Sequence, residues 1–530
     1  SIKPQTREHF DICRLLSIPQ GIVVLNKADL VDSDILELVR LEVDEFVRGS
    51  FLENAPVVAV SSTSGQGIDE LREELKKAGA TIHAKDASRF FRLPIDRAFS
   101  MRGFGVVVTG TLISGSVRLE QEVVLYPAGK PVRVRGIQVH GEAVTRAGAG
   151  QRTALNLAGV DSSELARGMM LAEAGRFQPT NRIDCVFELL PGAKPLKHRA
   201  PVHFHAHAAE VEAEVRGIGT TEPMKPGTRR HLRIVLREPL LLLPGDRFVV
   251  RMFSPVVTIG GGVVLDIAPP RRGGSQRLQT LETGSVSERV ALLVSESRYG
   301  MGMAELVART GLIEAEIGGA AVEAGLVVLR EPQFWALDPK WIQAKLESIQ
   351  QSLKSFHRLK PLVAGMPKEE LRGKELADSP PFLLDALLSR AKTIVVQGDM
   401  VRLASHKVSL QQDEQDATSK IEAAFRSAGL AVPSTSEVLS KCGVEAGRAK
   451  TLLQIMIRDK KLVRVSEELV FHASAVQQLR ELLARHKGAR FGVPEFKEWT
   501  GISRKYAIPL LEFLDREHVT RRDGDARLVL

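Results

Sequence analysis

Two stretches near the end of the chain follow one pattern. Residues 437–465 (EVLSKCGVEAGRAKTLLQIMIRDKKLVRV) and 495–522 (EFKEWTGISRKYAIPLLEFLDREHVTRR) align at an offset of 58, which sets Gly443-Val444 on Gly501-Ile502 and Leu452-Leu453 on Leu510-Leu511. Each unit has a helix ending near a Gly-apolar turn, a second helix with apolar residues at helical spacing, and a strand pair. That is a helix-turn-helix with a β wing. The same grammar runs through 305–337, with Gly311-Leu312 at the turn, and more loosely through 367–403. Four tandem winged helices therefore account for 275–530, with expected modules at 275–342, 343–408, 415–473 and 474–530.

Upstream the texture differs twice. In 1–85 the apolar runs Gly21-Ile22-Val23-Val24-Leu25 and Pro56-Val57-Val58-Ala59-Val60 predict two buried parallel strands between helices over 4–16, 35–47 and 68–77. Two parallel strands do not complete a doubly wound sheet, so this portion is expected to be part of an α/β domain. From about 89 to 267, short strands broken by Gly and Pro predict two antiparallel β barrels, placed at 86–176 and 177–268. Pro269-Pro270-Arg271-Arg272-Gly273-Gly274 reads as a linker.

Composition limits the partners. With 44% hydrophobic and 26% charged residues in 530, the chain has ordinary globular content. No uncharged stretch reaches the roughly 18 apolar residues of a membrane span, and the opening SIKPQTREHF lacks a signal peptide's apolar core. No membrane partner is expected. Cys13, Cys185 and Cys442 form no CxxC pair, which fits a reducing cytoplasm and supports neither disulfides nor zinc. A formal net charge of +9 permits a nucleic-acid partner without requiring one.

Asn26-Lys27-Ala28-Asp29 follows directly on the first apolar strand, and ligands of open α/β sheets bind at such strand ends. The Asp29 carboxylate can accept from the ring N–H and exocyclic amine of guanine, Asn26 can support the opposite edge, and the Lys27 stem can lie over the base. The second strand ends in Ser61-Ser62-Thr63-Ser64-Gly65, whose polar groups are expected to buttress Asp29 and reach the guanine oxygen. The chain contains no GxxxxGK[ST] loop to cradle phosphates. It is therefore expected to be the portion of a GTPase after its phosphate loop and switches, inactive alone, with GTP and Mg2+ belonging to the complete protein.

Pro4-Gln5-Thr6-Arg7-Glu8-His9 leading into NKAD resembles the translational GTPases, as do the runs 104–111 (FGVVVTGT) and 255–262 (PVVTIGGG) in their second and third domains. With winged helices appended and ending in 503–512 (SRKYAIPLLE), the pattern resembles the selenocysteine-specific elongation factors (SelB). This resemblance implies GTP-dependent delivery of selenocysteyl-tRNA to the ribosome at recoded UGA codons. It also implies that the last winged helix grips a SECIS-type mRNA hairpin. A general translational GTPase leaves the winged helices unexplained, and a winged-helix DNA-binding regulator leaves NKAD and the barrels unexplained.

The family's amino-acid pocket lies between the GTPase domain and the second domain's barrel. It must favour an anionic selenolate over a neutral serine hydroxyl, which requires fixed positive charge. Asp96 and Arg97 in LPIDRAF and Arg152 in AGQRTAL are the matching residues; the alternative is that Asp96 and Arg97 pair with each other on the barrel surface. At the RNA end, Ser503 is placed to N-cap a helix running to about Glu517, with Arg504 and Lys505 in its first turn. The wing adds Arg521, Arg522 and Arg527 around Gly524, diluted by Asp515, Glu517, Asp523 and Asp525. Folded RNA presents phosphates and flipped-out bases, which a compact basic surface suits. His203, His205 and His207 alternate on one strand and read as a barrel-face row, and Cys13 and Cys185 as core.

Overall fold

A computed structural model describes residues 2–82, 85–101, 105–271, 273–360, 363–406, 412–524 and 526–530. Phe104 of the second motif, Arg272 of the linker and Asp525 of the wing lie outside these. The chain forms two compact units, Ser1–Ile342 and Gln343–Leu530.

The first unit opens with helix α1 (Pro4–Leu15), strand β1 (Val23–Asn26), helix α2 (Ser33–Val47), strand β2 (Val57–Val60) and helix α3 (Ile68–Thr81). β1 and β2 form a two-stranded parallel sheet in which Asn26 stands opposite Val60. α1 joins this portion to the rest: Phe10 packs on Phe46 at 4.6 Å between ring centres, while Leu15 packs beside Val249 and Leu190 of the third domain.

The two β domains differ in closure. The second of them is a closed six-stranded barrel whose ring runs Thr180–Leu189, Arg229–Leu240, Ala209–Gly217, Ala200–Ala206, Arg247–Arg251 and Thr258–Asp266. Phe187, Phe204 and Phe248 fill its core with Cys185, whose thiol burial pushes well up. The GGG of PVVTIGGG is required by close approach: a Cβ on Gly262 would stand 1.9 Å from the Val186 carbonyl oxygen. The preceding domain is an eight-stranded antiparallel sheet from Arg92–Pro94 at one edge to Arg97–Met101 at the other. It curves into a half-barrel, in which the Arg92–Pro94 edge meets the chain just after Gly105–Thr111 through isolated bonds such as Arg92 N–H to the Ser114 carbonyl (3.1 Å).

Four winged helices follow. The first shares a buried cluster with both β domains, in which Leu278 and Leu306 join Tyr126 and Met170 of the one and Leu243 and Leu265 of the other. It is riveted to the barrel by buried charges: Asp266 receives Arg277 and Arg309, and Asp184 lies 3.9 Å from Arg277. The second unit holds the other three. The repeat at offset 58 is structural, since Gly443 and Gly501 both take positive φ (91° and 68°), and Leu452, Leu453, Leu510 and Leu511 are all buried. The third and fourth modules do not have separate cores: Phe425, Phe471, Phe496 and Phe513 belong to one continuous cluster.

Candidate functional site

The parallel register of β1 and β2 brings both predicted guanine-reading segments to one end of the sheet. Asn26 accepts the Lys27 N–H at 2.8 Å, and Lys27 takes a left-handed conformation (φ 62°) that starts the turn Ala28–Leu30. The side chains of Asn26, Lys27, Asp29 and Ser62 are exposed, whereas Ser61 is buried. Ser61 does not buttress Asp29. Its hydroxyl accepts the Ser64 N–H at 3.2 Å and its N–H donates to the Gln66 carbonyl at 2.9 Å, so it shapes its own loop. Gly67 completes that loop with φ 70°, where a Cβ would stand 2.0 Å from the Ala59 carbonyl oxygen. Among the described residues none occupies the Asp29 carboxylate, which leaves it open to a base.

In the half-barrel, Asp96 and Arg97 do not pair with each other. Arg152 makes a two-pronged ion pair with Asp96, and the Thr109 hydroxyl donates to the same carboxylate at 2.7 Å. The Arg152 guanidinium foremost holds the Asp96 carboxyl below its usual range. Arg97 stands opposite Thr109 in the ladder. It is exposed, and among the described residues its guanidinium has no hydrogen bond or ion pair. The three candidates are thus together: Arg152 is bonded to Asp96, while Arg97 makes no bond among the described residues and only its charge reaches the same carboxyl. Thr109 lies inside a recognised motif, but nothing in the sequence marks it as the residue that holds Asp96.

The four modules differ where a winged helix meets nucleic acid. The first recognition helix, Glu314–Glu323, begins with acids that are spent on the β domain: Glu314 pairs with Arg176 at 2.6 Å and Glu316 with Arg89 at 2.8 Å. The second, Phe382–Leu388, is apolar apart from Asp385, which pairs with Lys368 at 2.7 Å. The third, Ala446–Arg458, has Ala446-Gly447 where the fourth has Arg504-Lys505, and its Arg448 is held by the buried Glu414. The fourth, Arg504–Arg516, has Ser503 in the N-cap position, although the Ser503 side chain makes no capping bond. Arg504 and Lys505 are exposed, and Lys505 lies 5.6 Å above the Tyr506 ring. The wing strands Thr520–Asp523 and Ala526–Val529 expose Arg521 and Arg522, but Arg527 turns inward onto Asp515 at 2.8 Å.

His203 and His205 share a face with ring centres 6.4 Å apart, while His207 lies just beyond the strand and pairs with Asp246 at 3.2 Å. Burial alone would raise the Asp246 carboxyl, but Arg92 and His207 outweigh it and hold it well below the carboxylate range. This trio fastens the half-barrel to the closed barrel. No helix among the described residues is long and apolar enough to cross a membrane.

Comparison with known proteins agrees along the chain. Residues 1–80 match the Elongation factor Tu GTP binding domain and 105–172 Elongation factor Tu domain 2. Residues 183–271 match the beta-barrel domain of selenocysteine-specific elongation factor, and 350–403 and 481–529 match winged helices of elongation factor SelB. The selenocysteine-specific elongation factor of Desulfomicrobium baculatum is 34% identical over 548 residues, covering 100% of this chain and 86% of the relative. That of Escherichia coli (strain K12) is 29% identical, covering 100% and 84%. A crystal structure of bacterial selenocysteine-specific elongation factor EF-Sec matches the fold with a TM-score of 0.68 at 24% identity, over 100% of this chain and 84% of that one. Neither a general translational GTPase nor a DNA-binding regulator accounts for this domain order, and the chain belongs to the family of selenocysteine-specific elongation factors.

Proposed function

We propose that the chain serves in the cytoplasm as the factor that brings selenocysteyl-tRNA to the ribosome at recoded UGA codons, recruited by a SECIS-type mRNA hairpin. The observation that carries this reading is the contrast among the winged helices. Only the fourth, among the described residues, starts its recognition helix with two unpaired side-chain cations beside a wing that exposes two more. Arg504, Lys505, Arg521 and Arg522 are the proposed RNA contacts.

At the other end, Asn26, Lys27, Asp29, Ser61 and Ser62 suit a guanine base, with Ser61 acting by shaping its loop. Bound GTP would supply the state that holds aminoacyl-tRNA. No residue of this chain is assigned to the phosphates or Mg2+, so its own part in nucleotide binding is to read the base. In the aminoacyl pocket, Arg97 provides the charge that favours a selenolate, because the charge of Arg152 is already cancelled by Asp96. The test is direct binding of the 530-residue chain to a labelled RNA stem-loop and to duplex DNA of equal length. Preference for the stem-loop supports the proposal, and equal or stronger DNA binding contradicts it.

A further inference from the structure

The C-terminal end of the last recognition helix carries three successive residues, each bound to a different neighbour. Asp515 accepts from the Thr520 hydroxyl (2.6 Å) on the first wing strand and from Arg527 Nε (2.8 Å) on the second. Arg516 donates to the Val465 carbonyl of the third module at 3.1 Å, and Glu517 accepts from Arg480 at 2.9 Å. Thr520 is 1% exposed and the Arg527 side chain 13%, so both partners of Asp515 are turned inward. The strand that carries Arg521 and Arg522 is the outer one of a three-stranded sheet and has a neighbouring strand on one side only.

We propose that Asp515 is a positioning residue for RNA recognition, and that Arg527 serves this clamp instead of the RNA. Asp515 holds both wing strands to the end of a helix whose start carries Arg504 and Lys505. The four exposed cations are thereby set in one fixed pattern before RNA arrives. Cations ordered in advance lower the ordering cost of binding. Because Asp515 touches no phosphate, its loss changes affinity without changing the number of counterions released. The inference rests on the proposed hairpin function.

The experiment titrates the full chain, wild type and variants, with a fluorescent RNA stem-loop taken from a message 3′ of an in-frame UGA, at several salt concentrations. Asp515→Ala is expected to weaken binding about tenfold at every salt, with the slope of log Kd against log salt unchanged. Arg527→Met should match it within about twofold, and the double variant should lose little more than either single, since the two share one contact. Asp515→Asn keeps an acceptor for Thr520 and should fall between wild type and Asp515→Ala. In the free protein, Asp515→Ala should speed hydrogen exchange of the wing amides and leave Leu510 and Leu511 protected, which separates loosening from unfolding. A slope lower by about one for Arg527→Met would overturn the proposal by making Arg527 a phosphate contact. Wild-type affinity in Asp515→Ala, or unchanged wing exchange, would overturn it while leaving hairpin binding standing. No stem-loop binding by the wild type would remove the hairpin function and this inference with it.

Discussion

Glu8 binds Thr258 across 250 residues of sequence: one carboxylate oxygen accepts the Thr258 N–H at 3.1 Å and its hydroxyl at 2.8 Å. Arg251 adds a third bond at 3.0 Å. The PQTREH and PVVTIGGG motifs are therefore two sides of one contact, which docks α1 on the closed barrel. Burial opposes the charge on Glu8, but the Thr258 and Arg251 donors prevail and lower its pKa. A lowered folded-state pKa contributes stability above the unfolded carboxylate value, and that contribution is lost as pH falls through the folded value. Glu8→Ala should cost about 1–3 kcal/mol at neutral pH. The difference from wild type should shrink in acid, as read by urea unfolding across that range.

Arg277 sits among Asp266, Glu296 and Asp184, two of which are almost wholly buried. Burial opposes its charge, and Glu296 and Asp266 raise its pKa in spite of that. Arg277→Ala leaves buried carboxylates undercompensated and should destabilise the first unit by about 3 kcal/mol. Arg72→Ala, which breaks an exposed pair with Asp69, should change little. Urea unfolding of both variants checks the contrast.

Loss of Arg97 should penalise a selenolate more than a hydroxyl. In a GTP-loaded form, Arg97→Ala should narrow the preference for selenocysteyl-tRNA over seryl-tRNA by about tenfold, the equivalent of about 1.4 kcal/mol. Arg152→Ala should narrow it to a similar extent, because it frees the Asp96 carboxylate to offset the Arg97 charge. Equal losses for both tRNAs in Arg97→Ala would make Arg97 a structural or tRNA-backbone contact.

Asp29→Asn exchanges an acceptor for an amide, which pairs with a carbonyl where the carboxylate pairs with an amine. In a form that also carries a phosphate loop, the variant should shift preference from GTP towards xanthosine triphosphate in a competition assay. The 530-residue chain alone should show no single-turnover GTP hydrolysis above the protein-free background.

The sequence made local grammar legible and left pairing hidden. Gly443 and Gly501 could be matched because a helix-ending turn demands positive φ at a fixed offset. The partner of Asp96 could not be read, since successive residues of an extended chain face opposite sides. Arg152 reaches Asp96 only because the strand Arg152–Ala158 lies beside Gly105–Thr111, which in turn lies beside Arg97–Met101. The inward turn of Arg527 was hidden for the same reason, its partner lying on a helix in another part of the module. Apolar residues at helical spacing show that a helix has a buried face and not which module covers it. The shared core of the third and fourth modules was therefore out of reach, and it joins about 415–530 into one folded unit that carries the proposed RNA contacts.

The central claim is that the fourth winged helix, and specifically the start of its recognition helix, holds the RNA. A labelled stem-loop titrated at several salt concentrations against wild type, Arg504→Ala, Lys505→Ala and Lys450→Ala tests it most directly. Wild-type binding should weaken steeply with salt, and Arg504→Ala or Lys505→Ala should each lower the slope by roughly one unit. Lys450→Ala, on the exposed face of the third module's helix, should leave the slope unchanged. Equal losses at Lys450 and Arg504 would show a diffuse basic face, and no loss at Arg504 would contradict the assignment of the RNA site to the last winged helix.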